Sequence, residues 1–205
     1  MAARKSTFVW LIIHIALLAP LVFLLSDLNH AQLTANPFEA AIRRTGKTAL
    51  ILLVLTLACT PTYNLSRFRP LLPLRRVLGL YVFFYASIHL FIFAGLDYQF
   101  NFEFLQEAML EKRYALAGLS AFLLLLPMAI SSTSAWRTRL GTAWKWLHRA
   151  IYVAAPLVVV HYLWGVKLDT RAPLQFAAIV LILLLLRLPF ITRAMPGRRR
   201  PTQGT

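Results

Sequence analysis

The sequence is short of cysteine and of charge, and each shortage excludes a class of protein. Cys59 is the one cysteine among 205 residues, which excludes an intrachain disulfide, a CxxC redox pair and a cysteine-based zinc or iron–sulfur site. Charged residues make up 14% of the chain and hydrophobic residues 59%, whereas soluble domains have about 25% and about 45–50%. No GxGxxG, P-loop or nucleophile-elbow motif is present. With a mean hydropathy of +0.65, the chain is not expected to be a soluble globular domain.

Long apolar runs dominate what is present. A helix needs about 20 mostly apolar residues to cross a bilayer core. Six runs qualify as candidate spans, at residues 8–26, 48–65, 77–97, 114–130, 147–166 and 172–190. The first is longer than the apolar core of a signal peptide and no A-x-A site follows it, so we expect it to be retained. The sequence predicts an all-α membrane protein, a bundle of six transmembrane helices that forms a single domain over residues 1–205.

The basic residues lie in short clusters between the spans. There are 22 Lys and Arg against 7 Asp and Glu, and residues 66–76, 131–146 and 191–205 carry basic residues but no acidic ones. This pattern is typical of topology signals rather than of a nucleic-acid-binding face. The alternate segment 97–113 is mainly acidic, so the positive-inside rule predicts that both termini are cytoplasmic. The basic residues Arg43, Arg44 and Lys47, in the first predicted outer loop, run against this rule.

The chain has five histidines, and four of them lie in apolar spans or at their ends. Only His30 falls in a predicted outer loop. Ionisable residues within spans are costly and are functional candidates by default. His14 stands alone in its span, and we interpret it as an interhelical hydrogen-bond partner.

Two of the histidines are predicted to lie at one depth. His89 is 12 residues into the third span and His161 is 14 residues into the fifth, which corresponds to ~18 Å and ~21 Å along a helix. Because alternate spans run in the same direction, the two side chains should reach nearly the same level, toward the outer side. Imidazole is a standard axial ligand of haem iron. The sequence therefore predicts that His89 and His161 bind one haem b between two helices.

His148 is predicted to be a second redox-site residue. It precedes His161 by 13 residues, so it lies ~20 Å nearer the inner side of the same span. That distance prevents all three histidines from sharing one zinc or copper ion. Pro156 lies between them and offers a point at which the helix can kink toward a common face. The third span has no histidine at this inner level, so three possibilities stay open for His148: a single haem ligand, a residue that binds something other than haem, or an interfacial histidine.

Several motifs resemble one family of membrane proteins. These are PLLPLRRVLGL at residues 70–80, YASIHL at 85–90, WLHRAIY at 146–152 and HYLW at 161–164. Together they resemble the MsrQ family of haem-binding subunits of bacterial MsrPQ systems, in the ferric-reductase-like transmembrane superfamily. The resemblance implies that His89, His148 and His161 are haem-iron ligands. It also implies that FMN is associated with the protein.

The resemblance further implies a function. Such a protein is a b-type cytochrome of the bacterial inner membrane that takes electrons from the quinone pool or a cytoplasmic flavin reductase. It passes them to MsrP, a periplasmic molybdopterin enzyme that reduces methionine sulfoxide in oxidised proteins. The chain would be an electron-transfer subunit with no substrate chemistry of its own. Glu103, Glu107 and Glu111 in an outer loop are expected to present the docking surface for MsrP.

Two alternatives stay open at the level of sequence. One is a ferric-reductase-type cytochrome b with another acceptor, such as extracellular ferric iron. The other is a haem-free transporter or assembly factor, although transporters often contain inverted repeats and no internal repeat is evident here.

Overall fold

The computed structural model describes residues 2–30, 32–166 and 168–187, and within them the regular structure is entirely helical. The helices are α1 (Ala2–Asn29), α2 (Pro37–Ser66), α3 (Leu71–Phe91), α4 (Phe102–Glu111), α5 (Arg113–Ile130), α6 (Ser134–Leu140), α7 (Thr142–Leu147), α8 (Ile151–Gly165) and α9 (Arg171–Leu185). A π-helical turn, Ile92–Asp97, extends α3, and a 3₁₀ turn, His148–Ala150, joins α7 to α8. The all-α prediction is therefore confirmed.

Five helical segments of the described residues are long and apolar enough to cross a membrane. They are Thr7–Asn29, Pro37–Ser66, Leu71–Leu96, Arg113–Ile130 and Thr142–Gly165. The sixth predicted span, residues 172–190, corresponds to α9, which is apolar but only 15 residues long. Residues 188–190 of that span and the basic segment 191–205 lie outside the described residues.

Helix α2 begins well before the predicted span at residue 48. Asn36 caps it by accepting a hydrogen bond from the Glu39 backbone N–H at 3.1 Å, and Pro37 occupies the first turn, where a missing N–H costs nothing. The early start places the basic residues of the first predicted outer loop on a helix. There Arg43 pairs with Glu39 and Arg44 pairs with Asp27. Two of the charges that ran against the positive-inside rule are thus matched by carboxylates.

Two helix pairs dominate the packing, α2 with α3 and α5 with α8. A core of small and aliphatic side chains joins these pairs, with Leu53 and Leu57 from α2 and Ala154 and Ala155 from α8 almost fully buried. The alanines allow the backbones to approach closely, as is usual between membrane helices. Tyr85 of α3 is also buried.

Helix α1 lies against this core and exposes most of its surface. The Tyr85 hydroxyl donates to the Leu17 carbonyl of α1 at 2.7 Å. His14 of α1 is hydrogen-bonded to the Tyr81 hydroxyl at 3.0 Å, which confirms its interpretation as an interhelical partner. The outward side chains of α1, such as Phe8 and Phe23, are exposed, as expected of a lipid-facing helix.

The segments between the predicted spans contain further helices. The acidic segment 97–113 forms α4, whose N-cap Asn101 accepts from the backbone N–H groups of Glu103 and Phe104. The segment before the fifth span forms α6 and α7. Within the fifth span the regular α-helix is interrupted at the 3₁₀ turn His148–Ala150, whereas Pro156 lies inside α8. The regular α-helix is therefore interrupted at His148 and not at Pro156, where the sequence suggested a kink.

Candidate functional site

The structure brings His89 and His161 together. Their ring centroids are 5.9 Å apart and the ring planes are nearly perpendicular, at 89°. His89 lies near the C-terminal end of α3 and His161 near the C-terminal end of α8. The two rings thus lie at one level of the bundle, as the depth argument required.

Each of the two imidazoles is held by a backbone carbonyl from a different helix. His89 Nδ1 donates to the Ile42 carbonyl of α2 at 3.0 Å, and His161 Nδ1 donates to the Tyr114 carbonyl of α5 at 2.7 Å. A carbonyl oxygen can only accept, so the proton of each neutral ring is on Nδ1 and the lone pair is on Nε2. Metal-ligating histidines have this arrangement, because the second-shell bond fixes the tautomer and the ring orientation.

A glycine lies beside each ring. A Cβ atom on Gly118 of α5 would stand 2.6 Å from His161 Nδ1, and one on Gly46 of α2 would stand 3.1 Å from His89 Nδ1. The rings therefore lie directly on helix backbone. Sequence analysis missed both glycines, although each precedes its histidine by the same 43 residues, a regularity that could have revealed them.

The separation of the two rings is compatible with both of them binding one haem iron. Two nitrogens on opposite sides of one metal ion lie ~4 Å apart, because each metal–imidazole bond is about 2 Å. Ring centroids lie somewhat farther back than the nitrogens, so the observed 5.9 Å is compatible with one iron between the rings. Among the described residues no three His, Cys, Asp or Glu side chains converge. Two neutral imidazoles suit haem iron better than the four-ligand shell of zinc.

His148 is placed apart from this pair. Its Nδ1 donates to the Trp144 carbonyl at 3.0 Å, and its ring stacks on the Trp144 indole with centroids 4.0 Å apart. The indole Nε1 donates in turn to the Ser131 carbonyl at 2.9 Å. The neutral His148 ring therefore also has its lone pair on Nε2, and the ring is only partly buried.

The remaining predicted residues are at the surface. His30 is exposed and its Nδ1 donates to the Ser26 carbonyl at 2.8 Å. Glu103, Glu107 and Glu111 are exposed on α4. The apolar side chains Phe102 and Leu110 of the same helix are exposed as well.

Comparison with known proteins identifies the class. A family profile described as "Ferric reductase like transmembrane component" matches residues 45–159, which is more than half of the chain. The match includes His89 and His148 and stops two residues before His161. Together with five candidate spans, it defines a multi-pass membrane protein. No solved structure matches the chain.

Curated relatives extend the likeness over most of the sequence. The chain is 43% identical to a protein of Herminiimonas arsenicoxydans over 81% of this chain and 76% of the relative. It is 36% identical to a protein of Caulobacter vibrioides over 98% and 93%, and 40% identical to one of Rhodospirillum rubrum over 91% and 90%. Each of the three is named "Protein-methionine-sulfoxide reductase heme-binding subunit MsrQ". The chain therefore belongs to the ferric-reductase-like transmembrane family and, within it, to the MsrQ family.

Proposed function

We propose that this chain is the haem-binding, electron-transferring subunit of a membrane methionine-sulfoxide reductase system. The observation that carries the proposal is the facing pair His89 and His161, each with its Nδ1 on a backbone carbonyl and its Nε2 lone pair left for a metal. The names of the curated relatives support the same function, because they describe haem-binding subunits of that reductase.

His89 and His161 are the residues that would hold haem b. Each would supply its Nε2 nitrogen as a ligand, and the carbonyls of Ile42 and Tyr114 keep each ring in the tautomer that leaves Nε2 free to bind. When bound, haem supplies a one-electron redox centre, while the protein sets its ligands and surroundings. The helices around the pair are largely apolar, which limits access of water to the site.

The direction of electron flow follows from the proposed topology. We propose that α9 completes a sixth span of a single domain, that both termini are cytoplasmic and that the membrane is the bacterial inner membrane. The His89–His161 pair then lies toward the periplasm. His148 lies ~20 Å nearer the cytoplasm along the helix, where it serves as a second redox-site ligand.

Donor and acceptor lie at opposite ends of this path. The quinone pool or a cytoplasmic flavin reductase supplies electrons on the His148 side. A periplasmic MsrP-type subunit accepts them near α4, whose exposed Glu103, Glu107 and Glu111 supply the docking charge. We do not extend the proposal to FMN, since neither the relatives' names nor the described residues point to a flavin site.

Visible spectroscopy of the detergent-purified protein tests the haem proposal. The reduced-minus-oxidised spectrum should show sharp low-spin b-type bands, and His89→Ala and His161→Ala should each reduce the haem-to-protein ratio at this site by at least tenfold. His30→Ala is the matched control, because His30 also donates from Nδ1 to a carbonyl but is exposed. If either variant kept the wild-type haem-to-protein ratio, the pairing of His89 with His161 would be refuted. A colourless wild-type protein, made with ample haem, would favour the haem-free alternative.

A further inference from the structure

We propose that the two imidazole positions are duplicate half-sites, in which Gly46 and Gly118 are equivalent positioning residues for His89 and His161. Each half-site consists of a backbone carbonyl, a glycine one helical turn later and a histidine on the helix packed against them. The inference deepens the proposed function and rests on it, because it concerns how the haem ligands are oriented.

The spacing of the two half-sites is identical. Ile42 and Gly46 are four residues apart, as are Tyr114 and Gly118, and His89 and His161 each follow their carbonyl partner by 47 residues. Every member of one set is therefore 72 residues from its counterpart.

The same offset relates the helices that carry these groups. The carbonyl and glycine lie near the beginning of α2 in one half-site and near the beginning of α5 in the other, and the histidines lie near the ends of α3 and α8. The pairs α2–α3 and α5–α8 are also the two most extensive helix contacts. Each half-site is thus carried by one packed helix pair.

A short sequence repeat begins at each glycine. Residues 46–53 read GKTALILL and residues 118–125 read GLSAFLLL, so glycine, a hydroxyl residue, alanine and two leucines recur in register at the 72-residue offset. The sequence analysis found no internal repeat, and this one corrects it. The repeat is parallel rather than inverted, since both copies lie inside the first helix of their pair and read in the same chain direction. Parallel repeats are one known way to build membrane bundles around a central site.

The hydrogen bond from each histidine ring to its carbonyl explains why a glycine lies one helical turn later. Residues i and i+4 lie above one another on one helix face, so a ring that donates to the carbonyl of residue i covers the position of residue i+4. A side chain there would meet the ring, as the 2.6 Å separation of a Gly118 Cβ from His161 Nδ1 indicates. Glycine is the poorest helix former apart from proline, and two glycines at equivalent positions inside α2 and α5 are accounted for by this need.

The two half-sites differ in how tightly the ring is held. At Gly46 a Cβ would lie 3.1 Å from the nearest atoms of His89, so a shift of a few tenths of an ångström accommodates it. The Ile42 carbonyl also accepts a hydrogen bond from the Thr45 hydroxyl at 3.1 Å. The residue equivalent to Thr45 in the second half-site is Ala117, which has no hydroxyl. Alanine substitution should therefore be tolerated better at Gly46 than at Gly118.

Three alanine variants of the holoprotein test the proposal. Gly118→Ala should lower the haem-to-protein ratio by at least fivefold, and Gly46→Ala should retain haem but change the low-spin electron paramagnetic resonance signal, which reports ligand orientation. Gly79→Ala is the matched control, because it is also a helical glycine but its Cβ would have ordinary contact only, 3.8 Å from Thr56. Wild-type haem content and an unchanged signal in Gly118→Ala would overturn the proposal.

A stability cycle separates this inference from the haem proposal. In haem-free protein, Gly118→Ala should lower the unfolding temperature when His161 is present and raise it slightly in a His161→Ala background, because the clashing ring is then absent and alanine favours the helix more than glycine does. An equal loss in both backgrounds would show that Gly118 serves the helix rather than the ring, and would overturn the proposal. If wild-type protein takes up no haem, the proposed function fails while this cycle still decides the role of the glycine.

Discussion

At the scale of single residues, backbone carbonyls rather than charged side chains orient the candidate ligands. His89, His161 and His148 each donate from Nδ1 to a carbonyl oxygen. A carbonyl fixes the tautomer as a carboxylate would, but it adds no full negative charge to the site. The apolar bundle thus avoids burying a carboxylate, which is expensive within a membrane.

The hydroxyl of the buried Tyr85 links α1 to the core. Tyr85→Phe removes its bond to the Leu17 carbonyl without opening a cavity, so we expect the protein to lose about 1 kcal/mol of stability. Thermal unfolding in detergent measures this loss. Tyr63→Phe is the control, since the Tyr63 side chain is only partly buried, and an equal effect of the two substitutions would contradict the role given to the Leu17 bond.

His148 is expected to act independently of the His89–His161 pair. With ~20 Å of helix between His148 and His161, His148→Ala should leave the low-spin signal of the pair unchanged and slow reduction by a quinol at least tenfold. Stopped-flow reduction of the purified protein checks the rate. The Trp146→Phe variant, changed at a side chain that is 69% exposed, is the control and should be reduced at the wild-type rate. Loss of the pair's signal in His148→Ala would refute independence.

At the scale of elements, hydropathy found the helices but misplaced some of their ends. The predicted second span began at residue 48, while α2 begins at Pro37. The signals for the true start, Asn36 followed by Pro37 and Glu39, are in the sequence, but the charges at Arg43 and Arg44 lower the hydropathy there. A hydropathy window predicts contact with lipid, and a helix can extend beyond the lipid.

The pairing of the two histidines could be predicted from the sequence, whereas their hydrogen-bond partners could not. Depth along two helices depends only on residue counts and a constant rise, so His89 and His161 could be matched from sequence. The carbonyl partners lie 47 residues away in the chain, and their choice depends on how the helices pack. The 3₁₀ turn at His148–Ala150 was likewise not predicted.

Arg187 compensates for a proline in α2. Pro61 has no N–H, so the Leu57 carbonyl lacks its helical donor; Arg187 supplies two hydrogen bonds to it, at 3.2 and 2.8 Å, and one to the Thr56 carbonyl at 3.1 Å. Arg187→Leu should cost about 1–3 kcal/mol, because it leaves that carbonyl without a donor. Thermal unfolding should show a smaller loss in a Pro61→Ala background, where residue 61 has an N–H. Additive losses in this double-variant cycle would contradict the compensation.

At the scale of the whole molecule, the contacts of Arg187 bear on whether α9 crosses the bilayer. Ile42 of α2 marks the level of the histidine pair, and Leu57 lies 15 residues farther along α2, a distance of ~22 Å. Arg187 reaches Leu57, so the end of α9 lies near that depth. Since α9 begins at Arg171, shortly after the helix that carries His161, its 15 residues extend ~22 Å along the helix axis, which is compatible with the proposed sixth span.

Reporter fusions test the six-span topology that this depth supports. Alkaline phosphatase is active only when exported, so a fusion after Asp169, between α8 and α9, should be active and a fusion after Thr205 inactive. Green fluorescent protein at the same two sites should give the opposite pattern. A fusion after Gln99, before α4, is the exported control, and one after Ser132, before α6, is the cytoplasmic control. Phosphatase activity at both Asp169 and Thr205 would mean that α9 turns back within the membrane, and the chain would then have five spans with its termini on opposite sides.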